Sequence, residues 1–514
     1  MGFIDRIVVE LENEVLTCEK VGDEFRCLDI CITVKEAVES MACYITAEGT
    51  PLSYVRLYLT KEFSDSALLL GDTWERSYGD LEWKKQPYTR IMPWYFFAKE
   101  QENIYAYGVK VRPSAMCAWS VENGELCLTL DVCNGSKGVR LNGRKILAAE
   151  IVTRVYHTEA FAACKEFCKV MCADGIRPET PVYGGNNWYY AYGNSSDEEI
   201  LRDAKLLADV SKVLNNRPFM VVDDGWAKNR CAGPWNELRD TFKDMKKLAD
   251  DIRALKVRPG CWIRPLFFVG CDIPQNWVLR KHIEQGKEGV VLDVTVKEAR
   301  EYVLEGIRNI KEWGYDLLKH DFTTMDFLGG YAFEFKDFMS RCKKEPWHFS
   351  DRTRTNAEII VDFYKDIRKA AEGVVIMGCN TLSHLCAGLV EVQRIGDDTS
   401  GVEWERTKNM GVNTLAFRMC QHNVFYAIDA DCVGITPQIA WDKNEQWLDL
   451  VANSGTPLFV SLSPDCYTEE ILFDLQKAFQ VNSKQLDVCE PIDWLNTKTP
   501  NQWMINGKIR SFDW

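Results

Sequence analysis

Residues 218–226 read PFMVVDDGW, a run of apolar side chains ending in two adjacent carboxylates, a glycine and a tryptophan. The stretch Phe219, Met220, Val221, Val222 has the length and β-branched content of a strand buried on both faces, the kind found in parallel sheets. Ionised carboxylates at the end of such a strand are costly unless they are paired or solvated in a site. The segment therefore predicts a strand that delivers Asp223 and Asp224 to a pocket.

Outward from it the same pattern recurs. Apolar strands are expected at 182–188, 218–223, 259–265, 316–321, 374–378, 391–396, 423–429 and 457–461. Amphipathic helices are expected between them at 197–210, after the capping pair Ser195 and Ser196, and at 244–255, 297–313, 356–371 and 469–479. Eight strands, each followed by a crossover, predict an α/β fold of the (β/α)8 TIM-barrel type with chemistry at the strand C-terminal ends. A doubly wound open sheet is the runner-up. No GxGxxG follows a strand and no GxxxxGK[ST] occurs, so neither a dinucleotide site nor a P-loop is expected.

Before this region, alternating segments such as 6–12 (RIVVELE), 53–59 (SYVRLYL) and 126–132 (LCLTLDV) lie between Gly, Asn and Asp turns, the pattern of a β-sandwich. The expected organisation is an N-terminal β-sandwich over 1–155, a helical linker over 156–180 ending in RPETP, the barrel over 181–482, and a short C-terminal extension over 483–514. That extension is Trp-rich and too short for a sandwich, so it should pack back on another part of the chain.

Composition narrows the function. The 514 residues are 46% hydrophobic and 27% charged, with 62 basic against 76 acidic side chains and a net charge of −14. No basic run could cover phosphates, so nucleic acid is not an expected partner. No stretch of 18 apolar residues occurs, and the opening MGFIDRIVVELENEVL lacks the apolar core of a signal peptide, so neither a membrane nor secretion is expected. The 20 cysteines are scattered without a compact framework and read as reduced thiols, which points to a cytoplasmic protein. Cys164, Cys168 and Cys172 share a helix face and read as an apolar stripe, not a metal site. With no HExxH or paired CxxC, no metal and no cofactor are expected. The 17 Trp and 19 Tyr suit a carbohydrate substrate, whose C–H faces pack on aromatic rings, although core packing accounts for most of them. A homo-oligomer is left open.

Carboxylates recur at the strand ends: Asp223 and Asp224, Asp321 after DLLKH, Asp397 and Asp398 after EVQRIG, Asp429 and Asp431 after VFYAI. They should converge on one pocket, and glycosidic cleavage needs two carboxyl groups, one to attack and one to protonate the leaving oxygen.

In order along the chain, Asp223-Asp224-Gly225-Trp226, Pro259-Gly260-Cys261-Trp262, Lys319-His320-Asp321 and Arg394-Ile395-Gly396-Asp397-Asp398 resemble the landmarks of the α-galactosidase clan, glycoside hydrolase families 27 and 36, the melibiase-like enzymes. The resemblance spans about residues 181–465. It implies a retaining, exo-acting α-glycosidase that removes terminal α-galactosyl residues by double displacement, with Asp321 as nucleophile and Asp398, rather than Asp397, as acid/base. It also implies that Asp223 and Asp224 clamp sugar hydroxyls, that Lys319 lies near the sugar and holds Asp321 ionised, and that Arg394 orients a carboxylate or a hydroxyl. Trp188, Trp226 and Trp262 stand as apolar walls against a core-packing alternative. Cys379 stands near the sugar 2-position against the alternative of an inert buried thiol. Asp293 is read as a cap for the helix at 297–313. The same machinery on α-N-acetylgalactosamine or β-L-arabinopyranose, transglycosylation, and a catalytically silent carbohydrate-binding protein are the competing functions. Residues 378–384 lack the Gly-rich continuation usual in family 36, and Arg264 stands where that family often has an acid, which places the chain on an outlying branch.

Overall fold

The computed structural model of the chain describes residues 4–514 apart from 86–89, 123, 285, 332–333 and 335–345. Up to Tyr156 the chain forms two antiparallel sheets, one of six strands and one of nine. Along Ser40–Ala47, Met41, Cys43, Ile45 and Ala47 are buried while the residues between them are less so, the signature of a strand with one face inward. Trp119 of the six-stranded sheet meets Phe96 and Tyr107 of the other, with ring centroids 5.7 and 5.9 Å apart, so aromatic contacts join the two inner faces.

A helix, Ala160–Met171, leads on from these sheets with Cys164, Phe167 and Cys168 buried. The Cys168 and Cys420 sulfurs are 3.8 Å apart, so the stripe faces the turn that carries Cys420.

The rest of the chain is organised by a curled parallel sheet of nine strands. Its order is Ala427–Asp429, Val392–Arg394, Val375–Gly378, Leu317–His320, Arg258–Ile263, Phe219–Val222, Tyr183–Asn186, Leu458–Leu462 and Cys432–Ile435. Strands such as Phe219–Val222 and Leu458–Leu462 are buried at every residue, as a parallel sheet covered on both faces requires. Each of the eight predicted strand positions carries one of these strands. Gly184 has φ +155, and a Cβ there would come within 1.9 Å of the Phe219 carbonyl oxygen, so only glycine lets the first two strands approach.

The closed eight-stranded barrel expected above is corrected in one respect: the sheet has nine strands and its two edges do not hydrogen-bond to each other. The reason lies at Ala430 and Asp431. Asp431 turns the chain with φ +74, so Ala427–Asp429 pairs with Val392–Arg394 while Cys432–Ile435 pairs with Leu458–Leu462 on the opposite edge. Asp431 tolerates this left-handed conformation because its Oδ2 accepts from Thr399 N at 2.8 Å and from Arg394.

The helices follow from capping and from apolar faces. Ser196 accepts from Glu199 N at the start of Asp197–Val210, and Thr355 with Glu358 forms a capping box for Asn356–Ala370. On the latter, Ile359, Ile360, Phe363 and Ile367 are buried, each contributing about 1.5–3 kcal/mol of apolar transfer. Asp293 does not cap Lys297–Glu312, whose N-cap is Val296. Its carboxylate instead accepts from Thr295 N at 2.9 Å and Ser350 N at 2.7 Å, tying two loops together.

Several elements lie outside the expected ones, two of them large. An antiparallel sheet of Phe267–Phe268, Val278–Glu284 and Lys287–Leu292 is inserted after the third parallel strand. A helix, Trp441–Asn453, fills the connection to Leu458–Leu462. The C-terminal residues form three short antiparallel strands, and Trp494 packs on Trp83, Phe161 and Phe417 at 5.5, 6.0 and 5.6 Å. Among the described residues no helix is long and apolar enough to cross a membrane.

Candidate active site

Because the strands are parallel, Asp223 and Asp224, Asp321, and Asp397 and Asp398 all follow strand C-terminal ends and emerge on one rim. There they line a single cavity of about 320 Å³. Of the nominated residues, Trp188, Asp223, Asp224, Trp262, Lys319, Asp321 and Asp398 line it. Arg394 and Cys379 stand behind the wall, with the Cys379 sulfur 4.0 Å from Arg394 Nη1. Trp226 is fully buried, donates to the Trp262 carbonyl at 2.9 Å, and belongs to the core.

Asp321 is held at both oxygens. Trp262 Nε1 donates to Oδ2 at 3.1 Å, and the amide of Phe322 donates to Oδ1 at 2.7 Å. Phe322 adopts φ +63, an uncommon conformation for a bulky residue, and so aims its N–H back at the carboxylate.

Lys319 makes its hydrogen bond to Asp223 and acts on Asp321 through space, as a nearby charge. Its ammonium donates to Asp223 Oδ2 at 2.7 Å, an oxygen that also accepts from Asn186 at 2.6 Å. Burial disfavours the charged ammonium, yet Asp223, reinforced by Asp321, pushes its pKa well above the usual lysine value. The pairing arises because strand register places Lys319 toward the Asp223 strand across Arg258–Ile263.

Asp224 is the contrasting member of its pair. It is buried, its Oδ1 has no hydrogen-bond partner among the described residues, and Arg230 stays 4.0 Å from Oδ2. Burial, and then the neighbouring Asp223 charge, push its pKa up to about 7. Near neutral pH its unsatisfied oxygen can accept from, or when protonated donate to, a hydroxyl-bearing ligand.

Asp398 lies between two guanidinium groups. Arg394 Nη2 donates to its Oδ1 at 3.1 Å, and Arg76 Nη1 is 3.5 Å from the same oxygen. Burial raises the carboxyl pKa, but Arg394, Arg76 and Lys319 outweigh it and hold the group below the ordinary aspartate value. Arg394 is anchored in turn by Asp431 and by Tyr189, whose hydroxyl is 3.1 Å away. Asp397 faces Arg406 Nη2 at 2.7 Å and Arg76 Nη2 at 3.2 Å.

Asp429 and Asp431 do not line the cavity. Asp429 is buried 4.0 Å from Arg394, and burial pushes its pKa up to about 6. His320 points away from the cavity into the core, where burial lowers its pKa to about 4. Among the described residues no three His, Cys, Asp or Glu side chains gather as a metal site.

No family model matches the chain, and no curated protein does. Solved structures do. TtGalA, an α-galactosidase from Thermus thermophilus in complex with p-nitrophenyl α-D-galactopyranoside, aligns with a TM-score of 0.64 at 16% identity over 95% of this chain and 99% of that one. The fold is that of the α-galactosidases. AgaB, a GH36 α-galactosidase from Geobacillus stearothermophilus, aligns at 0.63 and 13% identity over 97% of this chain and 78% of its own. The same organism's AgaA, in a variant bound to 1-deoxygalactonojirimycin, aligns at 0.62 and 13% identity over 97% and 74%.

Within this α-galactosidase-like fold the cavity has lining residues that strand ends do not announce: Arg76, Tyr78, Cys231, Glu284, Phe322 and Tyr331. Arg76 and Tyr78 come from a loop among the antiparallel sheets, in GDTWERSYGD, where dense charge and aromatic content in a loop was the available signal. Glu284 comes from the inserted hairpin, where it accepts from Arg264 at 3.3 Å and from His282 at 3.0 Å. Arg264 itself is buried against Asp326, with the closest contact 2.7 Å, and so stands behind the Glu284 carboxylate that lines the cavity.

Proposed function

We propose that the chain is a retaining, exo-acting α-glycosidase acting on terminal α-galactosyl residues. The observation that carries this reading is that Asp321 and Asp398 line one sugar-sized cavity in opposite settings, the first gripped by neutral N–H donors and the second by cations. Asp321 attacks the anomeric carbon while the departing oxygen takes the Asp398 proton, giving a covalent glycosyl-enzyme. Asp398 then removes a proton from water, which attacks the same carbon and frees Asp321. Trp262 and Phe322 N fix the attacking carboxylate. Asp223, neutralised by Lys319, and Asp224, with its unsatisfied oxygen, suit hydroxyl donors on the ring. The guanidinium pair favours the ionised, base form of Asp398, so protonation of a poor leaving group is expected to favour acidic pH.

We also read the curled sheet as a (β/α)8 barrel over 181–482 whose seventh strand is broken at Ala430 and Asp431. Residues 1–155 are in this view part of the catalytic unit, because Arg76 and Tyr78 reach the cavity.

The test is turnover of p-nitrophenyl α-D-galactopyranoside. Wild type is expected to release p-nitrophenol, and Asp321→Ala to lose roughly four orders of magnitude or more in kcat. A wild type that binds galactose without turnover, or an Asp321→Ala variant with undiminished rate, contradicts the reading.

A further inference from the structure

Resting on the glycosidase reading, we propose that Arg76 is a positioning residue for Asp398, supplied to the cavity by the antiparallel sheets and clamping the acid/base carboxylate against Arg394. The loop that carries it is fastened to the parallel sheet at several points. Ser77 N donates to the Ile395 carbonyl and Asp397 N to the Ser77 carbonyl, each at 2.8 Å, a short parallel bridge beside the Asp397–Asp398 pair. Asp72 faces Arg418 Nε at 3.0 Å and accepts from Gln421 at 3.0 Å, and the Glu75 carboxylate accepts from Asn380 at 2.5 Å. Arg418 also donates to the Glu75 carbonyl at 2.6 Å. A loop tied at this many buried points cannot swing freely, so Arg76 is placed as firmly as a strand residue.

Arg76 is itself buried, and its two terminal nitrogens face different carboxylates: Nη2 is 3.2 Å from Asp397 and Nη1 is 3.5 Å from Asp398. Asp398 therefore has one cation from its own strand and one from the loop. Lys319 and Arg406 add positive charge around it, Tyr189 lies close enough to feel its charge, and Asp321, Asp397, Tyr78 and Tyr331 line the same cavity, with Asp223, Asp224 and Glu284 on its other walls. Asp397 is occupied by Arg406 on its other oxygen, so the loop cation also keeps the two adjacent carboxylates apart. With Arg76 absent, Asp398 keeps only the Arg394 contact at 3.1 Å, loses orientation, and holds its proton to higher pH.

The experiment uses the full chain as wild type, Arg76→Met and Arg76→Lys, with kcat/KM followed against pH on raffinose and on p-nitrophenyl α-D-galactopyranoside, and a crystal structure of Arg76→Met. The expected result is an alkaline limb on raffinose displaced upward by about one pH unit in Arg76→Met. A fall of about 100-fold in kcat with little change in KM is expected to accompany it. Arg76→Lys, which keeps the charge but not the fork, should retain the limb while recovering kcat only in part, and the crystal structure of Arg76→Met should show Asp398 rotated. An unchanged limb with Asp398 unmoved overturns the proposal. If wild type hydrolyses neither sugar, the glycosidase reading fails. The crystal structure then decides the positioning claim alone, a rotated Asp398 upholding it and an unmoved one ending it. Should Arg76→Met not fold, the Arg76→Lys limb and kcat decide.

Discussion

At the scale of single residues, the two carboxylates given chemical roles differ in what holds them. Asp398 takes Arg394 and Arg76 on one oxygen, and in the acid role proposed for it a proton is needed chiefly when the leaving group is poor. Asp398→Ala is accordingly expected to reduce kcat/KM on raffinose by roughly 10²–10⁴-fold and to spare p-nitrophenyl α-D-galactopyranoside in large part. Comparable losses on both substrates would refute the acid assignment. Asp224 makes a separate, pH-dependent contribution. The carboxyl ionises near 3.8 when free and at about 7 when folded. Between these values the folded chain binds more protons than the unfolded one, so stability falls as pH rises through the window. Asp224→Asn removes that loss, worth roughly 4 kcal/mol at most, and its melting temperature should drop less than that of wild type between pH 5 and pH 8. Equal drops would show that the buried carboxylate finds a partner on ionising. Carboxylates at strand ends were legible in the sequence because they are expensive there. Their partners were not: nothing local to Lys319 indicates that its ammonium crosses to Asp223, since that follows from register between strands.

At the scale of elements, the parallel strands were legible because each is an apolar run bounded by turn residues and too short for a helix. The inserted hairpin, Val278–Glu284 with Lys287–Leu292, was harder to see. It is only half-buried, so its alternation is diluted by charged residues on both faces. Its consequence is local: Glu284 reaches the cavity, and Arg264 behind it is buried between Phe267 and Phe322, 4.3 Å from each ring centroid. Arg264→Leu strips Asp326, itself buried, of its hydrogen-bonded cation and leaves only the weaker attraction of Arg280, and should cost about 3–5 kcal/mol in denaturant unfolding. Adding Asp326→Leu should restore much of that loss, because apolar replacement of a whole buried pair is tolerated. If the double substitution is no better than the single one, buried charge is not what makes the single substitution costly. The break in the seventh strand was illegible for a related reason: Asp431 gives no sign in sequence that it adopts a left-handed conformation fixed by Thr399 and Arg394.

At the scale of the whole molecule, the antiparallel and parallel parts are joined through the Asp72–Tyr78 loop, and this was the largest feature hidden from sequence. Motifs along the parallel strands pointed to a cavity rim, but a contact such as Arg418 to Asp72 spans more than three hundred residues and has no periodic signature. The functional account nevertheless rests on one side chain, Asp321, attacking an anomeric carbon. The most direct measurement is peptide mass spectrometry of wild type incubated with a fluorinated α-galactosyl fluoride that forms a glycosyl-enzyme quickly and releases it slowly. One ring-fluorinated galactosyl unit, transferred with loss of the anomeric fluoride, is expected on the proteolytic fragment that contains Asp321 and none in Asp321→Ala. A label on another fragment, or an enzyme that turns the reagent over without ever being labelled, would contradict the account.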